Sequence, residues 1–213
     1  MSDGRQDDWG AGERLLSAVG TATTVRAVRE FGSPSLSLAG SLLIAHPGLL
    51  DPNFRKSVLF LSTHDAEEGS FALTLNRPAD RTVGDVLPAE ALGPLKRVPL
   101  FLGGPVGQDQ LVFAAFRWHT DTETMECRHH LIVSDAQEAI EEEHTVVRAF
   151  VGYAGWSKGQ LEGELAQKAW LVAKPAHDVL AIARCATLWR ELTSSFGPWF
   201  RLVAEAPDDP TGN

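Results

Sequence analysis

The chain has 213 residues, of which 44% are hydrophobic and 22% charged, as is typical of a soluble, single-domain globular protein. Its formal net charge of −9 disfavours a general nucleic-acid binder, because phosphate contacts need clustered Lys and Arg side chains. No apolar run approaches the roughly 20 residues that cross a bilayer, and the polar, acidic start is unlike a secretory signal. The two cysteines, Cys127 and Cys185, allow one disulfide, but free thiols in a reducing compartment are the simpler interpretation. We therefore expect a cytoplasmic protein.

Composition divides the chain into three segments. Residues 1–34 read as a flexible N-terminal extension, residues 35–205 as one α/β domain, and residues 206–213 as a polar C-terminal tail. Within the extension, residues 13–31 have some helical character, which Gly20 and neighbouring threonines weaken.

The first half of the domain reads mainly as strands. Apolar and β-branched runs bounded by Gly, Pro and Asn predict strands at residues 42–45, 57–62, 70–75, 98–102, 111–118 and 130–133. Thr82 is placed to cap a short helix over residues 83–87. Residues 119–128 are polar and are predicted to be irregular.

The second half alternates helices with strands. Ser134 and Gln137 fit a capping box for a helix over residues 135–142. Further strands are predicted at 145–151 and 169–173, a helix at 178–195, and a last strand at 199–203. Early hairpins followed by alternating elements favour a mixed α+β domain with a largely antiparallel sheet over a doubly wound parallel sheet.

Residues 145–165 are the most clearly patterned stretch. A β-branched strand is expected to pass through a glycine-rich turn at 152–156 into a helix. Ser157 and Gln160 fit a capping box, and Trp156 and Leu161 occupy the positions of a hydrophobic staple.

Several motifs in this order resemble the bacterial YqgE/AlgH family, over residues 38 to 203. The motifs are Gly40–Leu49, Asp51–Phe54, Leu75–Pro78, Gly103–Pro105, Val133–Asp135, Gly152–Leu165 and Ala169–Trp170. The resemblance implies a single α/β domain with a bent, partly barrel-like sheet flanked by helices. Some members are called transcriptional regulators because of effects on exopolysaccharide production, and the family has no agreed set of catalytic residues. This sequence shows neither a helix-turn-helix pattern nor a basic stripe.

Four turns follow apolar strands, and loops at strand ends commonly carry binding residues. We hypothesise that these turns meet in one cleft. Its candidate residues are Pro47, Gly48, Asn76, Arg77, Gly103, Gly104, Gly152, Tyr153, Gly155, Trp156, Gln160 and Glu164. Arg77 would bind an anion through two N–H groups, the glycine amides would form an anion nest, and Tyr153 and Trp156 would be flat walls. Gln160 and Glu164 would add polar contacts. In the alternative interpretation, the Gly and Pro residues only form turns, Trp156 is a staple and Arg77 pairs with an acid.

Other chemistries have weaker support. The segment 103–107 lacks the Gly-Lys-Ser/Thr ending of a phosphate loop, and no Gly-x-Ser-x-Gly elbow is present. Cys127, His129 and His130 do not match a zinc-ligand spacing, so surface histidines are the simpler explanation. The helix at 178–195 is expected to pack in the core. The second interpretation is that this helix lies at a protein interface, to which Trp199 and Phe200 would contribute.

We therefore predict a non-enzymatic regulatory or binding module that uses no metal or cofactor. Its partner would be a small molecule or a protein, with direct DNA binding disfavoured by charge. The alternative is an enzyme of unknown reaction whose cleft surrounds Arg77 and Tyr153.

Overall fold

Nine strands form the core of the computed structural model, which describes residues 37–65, 67–88 and 92–206. The strands are β1 (Ser41–Ala45), β2 (Val58–Asp65), β3 (Gly69–Thr74), β4 (Pro78–Thr82), β5 (Pro99–Leu102), β6 (Val106–His119), β7 (Thr124–Leu131), β8 (Thr145–Trp156) and β9 (Trp170–Ala173). The α-helices are α1 (Val133–Ala139), α2 (Gln160–Ala166), α3 (Leu188–Ser194) and α4 (Pro198–Glu205). Short 3₁₀ helices include Val83–Asp85, Gly93–Arg97 and Ile182–Arg184. The predicted extension at 1–34 and the tail after residue 206 lie outside the described residues.

Strand β8 is the centre of the sheet. The strand order is β4-β5-β8-β3-β2-β1-β9, and β6 pairs with β8 and with β7. Every pairing is antiparallel except that of β5 with β8, which is parallel. This confirms the predicted mixed α/β single domain with a largely antiparallel sheet. The described strands form an open sheet and do not close into a barrel.

The core has two parts. The larger one is formed around β1, β2 and β3, where Leu42–Ala45 are all fully buried, and it includes Trp156, Trp170 and Trp189. The smaller one packs α1 and the 3₁₀ helices Val83–Asp85 and Gly93–Arg97 against β5, β6 and β8. The continuous apolar run of β1 fits a strand that is covered on both faces.

The sequence prediction was wrong at residues 119–128. Strand β6 continues to His119, and β7 begins at Thr124, so this polar region is a tight hairpin. Residues 128–131 belong to the end of β7, and so no separate strand exists at 130–133. Backbone pairing with β6 outweighs the polar composition here, since strand propensity depends strongly on the neighbouring strand.

The prediction of a glycine-rich turn at 152–156 was also wrong, because β8 continues through these residues to Trp156. The helix that follows begins at Gln160. Gln160 Oε1 accepts the Ser157 backbone N–H at 3.2 Å, as in a capping box, but the Ser157 hydroxyl also points to Gln160 and caps no backbone N–H. Gly159, with φ of 73°, occupies the N-cap position instead.

The C-terminal elements differ most from the prediction. Residues 199–203 are not a strand but part of α4, which begins at Pro198 after Gly197 and exposes Trp199 and Leu202 three residues apart. The predicted helix at 178–195 is broken, with a turn and a 3₁₀ helix before α3.

Of two other predicted helix caps, one was wrong and one was right. The α1 helix starts at Val133, so Ser134 lies inside the helix and Ile132 holds the cap position. The cap at Thr82 was right: Asp85 Oδ2 accepts its backbone N–H at 2.7 Å and its hydroxyl at 2.9 Å. The strand β4 before it was missed because Pro78, Asp80 and Arg81 have low strand propensity.

Candidate functional site

A surface cleft of about 360 Å³ lies where the β3–β4 turn meets the crossover from β5 to β6. Its lining residues are Asn53, Arg77, Leu102, Gly104, Pro105, Gln108 and Val151. Most of the wall is apolar or backbone, and the polar groups are one guanidinium and two amides. This composition is typical of ligand sites, in which a few polar groups orient a ligand on a largely apolar surface.

Asn76 fixes the turn that carries Arg77. Its Oδ1 accepts the backbone N–H of Val58 at 2.8 Å, and its Nδ2 donates to the carbonyl of Lys56 at 3.0 Å. The side-chain amide therefore replaces a backbone partner between β2 and the loop before it. Because these hydrogen bonds hold Asn76, this residue positions its neighbour and is not itself aimed at the cleft.

Arg148 supports the same turn from inside the core. It is one of the most buried side chains of the protein, with 1% exposure. Its Nη1 donates to the carbonyl of Leu75 at 2.9 Å, its Nη2 donates to the carbonyl of Leu180, and its guanidinium lies 4.0 Å from the ring centroid of Phe101. Burial lowers the pKa of Arg148 to about 10. The carbonyls and the ring thus hold a buried cation that makes no ion pair with a described residue.

Arg77 is half-buried at the cleft wall. Its Nη2 donates to the carbonyl of Arg55 at 3.0 Å, which uses one of the five guanidinium N–H groups. Burial lowers the pKa of Arg77, and the charge of Asp51 partly opposes this shift. Arg77 forms no ion pair with any described carboxylate, so the rest of its donor fork is available to an anion.

The glycines at the cleft have a structural reason. Strand β5 lies along one edge of β8 and β6 along the other, so residues 103–105 pass across β8. A Cβ on Gly104 would lie 2.3 Å from the carbonyl of Tyr153, and a Cβ on Gly103 would lie 2.1 Å from that of Gly152. The two backbones touch, which only glycine permits. The Gly103 amide donates to Val151, so this N–H does not contribute to an anion nest.

Tyr153 lies elsewhere. Its ring packs 5.0 Å from Phe71 and 6.1 Å from His130, and it is not among the residues lining the cleft. The ring also covers Gly155, where an added Cβ would come within 3.2 Å of it. The described geometry thus puts Arg77 and Gly104 in the cleft and Tyr153 with Gly155 in an aromatic cluster.

Trp156, Gln160 and Glu164 form a third group. Glu164 Oε2 accepts the indole N–H of Trp156 at 2.9 Å and that of Trp170 at 2.7 Å, while its Oε1 accepts Gln160 Nε2 at 3.2 Å. Phe54 completes the cluster, with its ring 5.4 Å from that of Trp170. One carboxylate therefore satisfies both buried indoles, and this arrangement joins α2 to the sheet.

Pro47 and Gly48 belong to the loop after β1. The Gly48 backbone N–H donates to His46 Nδ1 at 3.1 Å. The His46 ring stacks 6.0 Å from Trp199 and meets Phe200 edge-on at 5.8 Å. This part of the loop thus contacts α4, and neither Pro47 nor Gly48 lines the Arg77 cleft.

A smaller groove that the sequence reasoning missed adjoins the cleft. It measures about 190 Å³ and shares Gln108 and Val151 with the cleft. Its remaining lining residues are Val86, Leu87, Leu100, Asp109, Gln110 and Leu111. Strand β6 bulges here, because four of its residues, 107–110, stand between the partners of Tyr153 and Val151. The polar triplet Gln108–Gln110 inside an apolar strand was the available signal.

The histidines of β7 interact with one another. His129 and His130 approach with 2.7 Å between their Nδ1 atoms, and the His129 ring stacks 4.3 Å from Phe71. Burial, together with His130, lowers the pKa of His129. Burial also raises the pKa of Cys127 to about 12. Within the described residues, no group of three or more His, Cys, Asp or Glu side chains is placed to hold a metal ion.

The fold and the cleft define a class: a single-domain mixed α/β protein whose open sheet carries one arginine-bearing surface cleft. The family model described as "DUF179: AlgH-like" matches residues 42–201. The chain therefore belongs to the AlgH-like family. None of the described helices has the length and hydrophobicity needed to span a bilayer.

Relatives with similar sequences include proteins from Thermobifida fusca and Streptomyces coelicolor. A UPF0301 protein of Thermobifida fusca is 35% identical over 191 residues, covering 84% of this chain and 96% of the relative. One from Streptomyces coelicolor is 37% identical over 188 residues, covering 83% and 96%.

Two solved structures share the fold. The solution structure of the AlgH protein from Pseudomonas aeruginosa has a TM-score of 0.54 and 25% identity, covering 85% of this chain and 100% of that one. A crystal structure of a protein from Corynebacterium diphtheriae has a TM-score of 0.60 at 22% identity, covering 84% and 95%.

Proposed function

We propose that this protein is a non-enzymatic binding module that holds a small anion in the Arg77 cleft. The observation that supports the proposal is the set of cleft side chains. A half-buried guanidinium lies beside the amides of Asn53 and Gln108, and no described carboxylate pairs with it. Partial burial strengthens the attraction of a guanidinium for an anion, because the surrounding dielectric is lower than that of water.

The same set of side chains argues against catalysis. The cleft lining contains no carboxylate, imidazole, thiol or hydroxyl side chain, so it offers no nucleophile or general base. The alternative enzyme, with a cleft formed by Arg77 and Tyr153, has less support because the Tyr153 ring packs on Phe71.

A regulatory role, which the family resemblance implies, would then act through occupancy of the cleft. Direct contact with DNA is disfavoured by the net charge of −9. A cytoplasmic location is part of this proposal, and the two free cysteines, Cys127 and Cys185, are compatible with a reducing compartment.

The test is a titration of the ¹⁵N-labelled protein with acetate, followed by amide chemical shifts, at one fixed ionic strength. We expect the shifts to centre on Arg77, Gly104 and Gln108. Arg77→Gln should weaken binding by about tenfold or more, because a hydrogen bond to a charged group contributes about 1.5–3 kcal/mol. Arg77→Lys should weaken it less, since the charge remains while the planar fork is lost.

The matched control is Arg97→Gln, which removes the same charge from an exposed position in the 3₁₀ helix Gly93–Arg97. This variant should bind acetate as the unaltered protein does. Equal weakening by Arg77→Gln and Arg97→Gln would show that acetate responds only to net charge, and the proposal would then be wrong.

A further inference from the structure

The Arg77 cleft continues into an apolar surface. The adjoining groove shares Gln108 and Val151 with the cleft, so the two hollows lie side by side, and we call them together the depression. The groove lining includes four aliphatic side chains that the cleft lacks, Val86, Leu87, Leu100 and Leu111. The depression therefore has a cationic end and an aliphatic end.

Three exposed aliphatic side chains line this depression. Large apolar residues with more than a third of their surface exposed include Val86 at 42%, Leu87 at 37% and Leu102 at 50%. All three line the cleft or its groove. Exposed apolar surface that is grouped around a hollow, rather than scattered singly, marks a binding surface.

We infer that the ligand of the Arg77 cleft is an aliphatic monocarboxylate, with its carboxylate on Arg77 and its hydrocarbon chain in the groove between Leu87 and Leu111. This inference rests on the proposed function and specifies the ligand class. A planar carboxylate fits the guanidinium fork, and the amides of Asn53 and Gln108 can donate to the remaining lone pairs.

Charge favours a single anionic group. Arg77 is the one cationic side chain that lines the described depression, and Asp109 lies on the groove. A second carboxylate placed in the groove would be repelled by Asp109, which lines it. An aliphatic dicarboxylate of equal length should consequently bind more weakly than the monocarboxylate.

The experiment is a calorimetric titration of the full chain with acetate, butanoate, hexanoate and octanoate, and with octanedioate. We expect the dissociation constant to fall roughly two- to fourfold for each methylene added, the factor that burial of a methylene produces, until the groove is filled. Octanedioate should bind at least several-fold more weakly than octanoate.

Variants separate the two parts of the site. Leu87→Gln should sharply reduce the gain in affinity with chain length. Ile182→Gln, at another exposed aliphatic residue outside the depression, should leave this gain unchanged. Arg77→Gln should weaken the binding of every carboxylate in the series.

Each result decides one question. If octanoate binds no more tightly than acetate, or if Leu87→Gln keeps the full gain, the hydrocarbon inference is wrong and anion binding stands. If octanoate binds equally well to the Arg77→Gln variant, the proposed anion site is wrong, and an apolar surface alone is responsible. If acetate and octanoate both fail to bind, both proposals are wrong.

Discussion

Replacing Gly152 with alanine tests the contact between two backbones beneath the cleft. Gly152 has a φ of 68°, and an added Cβ would lie 2.6 Å from the carbonyl oxygen of Gly104 and 2.7 Å from that of Val106. A positive φ costs a residue with a Cβ about 1–2 kcal/mol, and overpacking adds about 1–3 kcal/mol. The free energy of unfolding should therefore fall by roughly 2–5 kcal/mol, a large part of the about 5–15 kcal/mol of a typical domain.

Two other glycines separate these contributions. Gly159 also has a positive φ, 73°, but no heavy atom would lie within 4 Å of its added Cβ, so Gly159→Ala should lose only about 1–2 kcal/mol. Gly163 lies inside α2, where its φ is not positive and the space around an added Cβ is equally open. Gly163→Ala should therefore raise the free energy of unfolding by about 0.5–1 kcal/mol, because alanine has the higher helix propensity.

Urea unfolding followed by tryptophan fluorescence measures all three variants, and the midpoint shift is compared at a common slope. The reasoning predicts the order Gly163→Ala, unaltered protein, Gly159→Ala, Gly152→Ala, from most to least stable. If Gly152→Ala loses no more than Gly159→Ala, the two backbones are not in close contact and the account of the crossover is refuted.

Two predictions concern titrating groups. Burial raises the pKa of Cys127 to about 12 and also raises the pKa of Cys185. Both thiols should therefore resist alkylation by iodoacetamide at pH 8 in the native state and react once the protein is unfolded in urea. Labelling of either thiol without urea would contradict this prediction. The pKa of His46 is lowered from its ordinary 6.5 by burial and by Lys168, so the folded state binds this proton less readily than the unfolded state. Stability should therefore be complete above pH 6.5 and should decline as the pH falls below it. The urea midpoint should fall less between pH 7 and pH 5 in His46→Gln, and an equal fall in both proteins would contradict the assignment.

Local signals predicted the strands better than their ends. The β-branched run that opens β8 was sufficient to place this strand, and Leu42–Ala45 placed β1. Gly152 and Gly155 were taken as the end of β8, yet they remain in the strand because another chain segment and the Tyr153 ring pack directly on them. Close approach of a distant backbone leaves the same glycine signature as a turn, so sequence alone does not separate the two.

Helical and strand patterns were confused near the C terminus. The run from Trp199 to Val203 is apolar enough for a strand, whereas the positions of Gly197 and Pro198 are those of a helix start. Gly197 and Pro198 together therefore indicate a helix that begins at residue 198, as α4 does.

The candidate site was predictable only in part. Arg77 and Gly104 were identified from motifs, and the structure brings them together. Asn53 and Gln108 come from segments whose approach to Arg77 depends on the tertiary fold, and the only local signal was the polar triplet that contains Gln108. Glu164 was expected to contact a ligand, but its two indole partners are separated in sequence and meet only when β8, α2 and β9 pack.

The central position of β8 has a consequence for biosynthesis. Strands β3, β5 and β6 all leave the ribosome before β8 does, and each of them has β8 as a neighbour in the finished sheet. Until the segment up to Trp156 has emerged, these earlier strands have unpaired edges, which are prone to association with other chains. The sheet is therefore expected to assemble only after the segment up to Trp156 has emerged, and the nascent chain before that point should be a good client for a ribosome-bound chaperone.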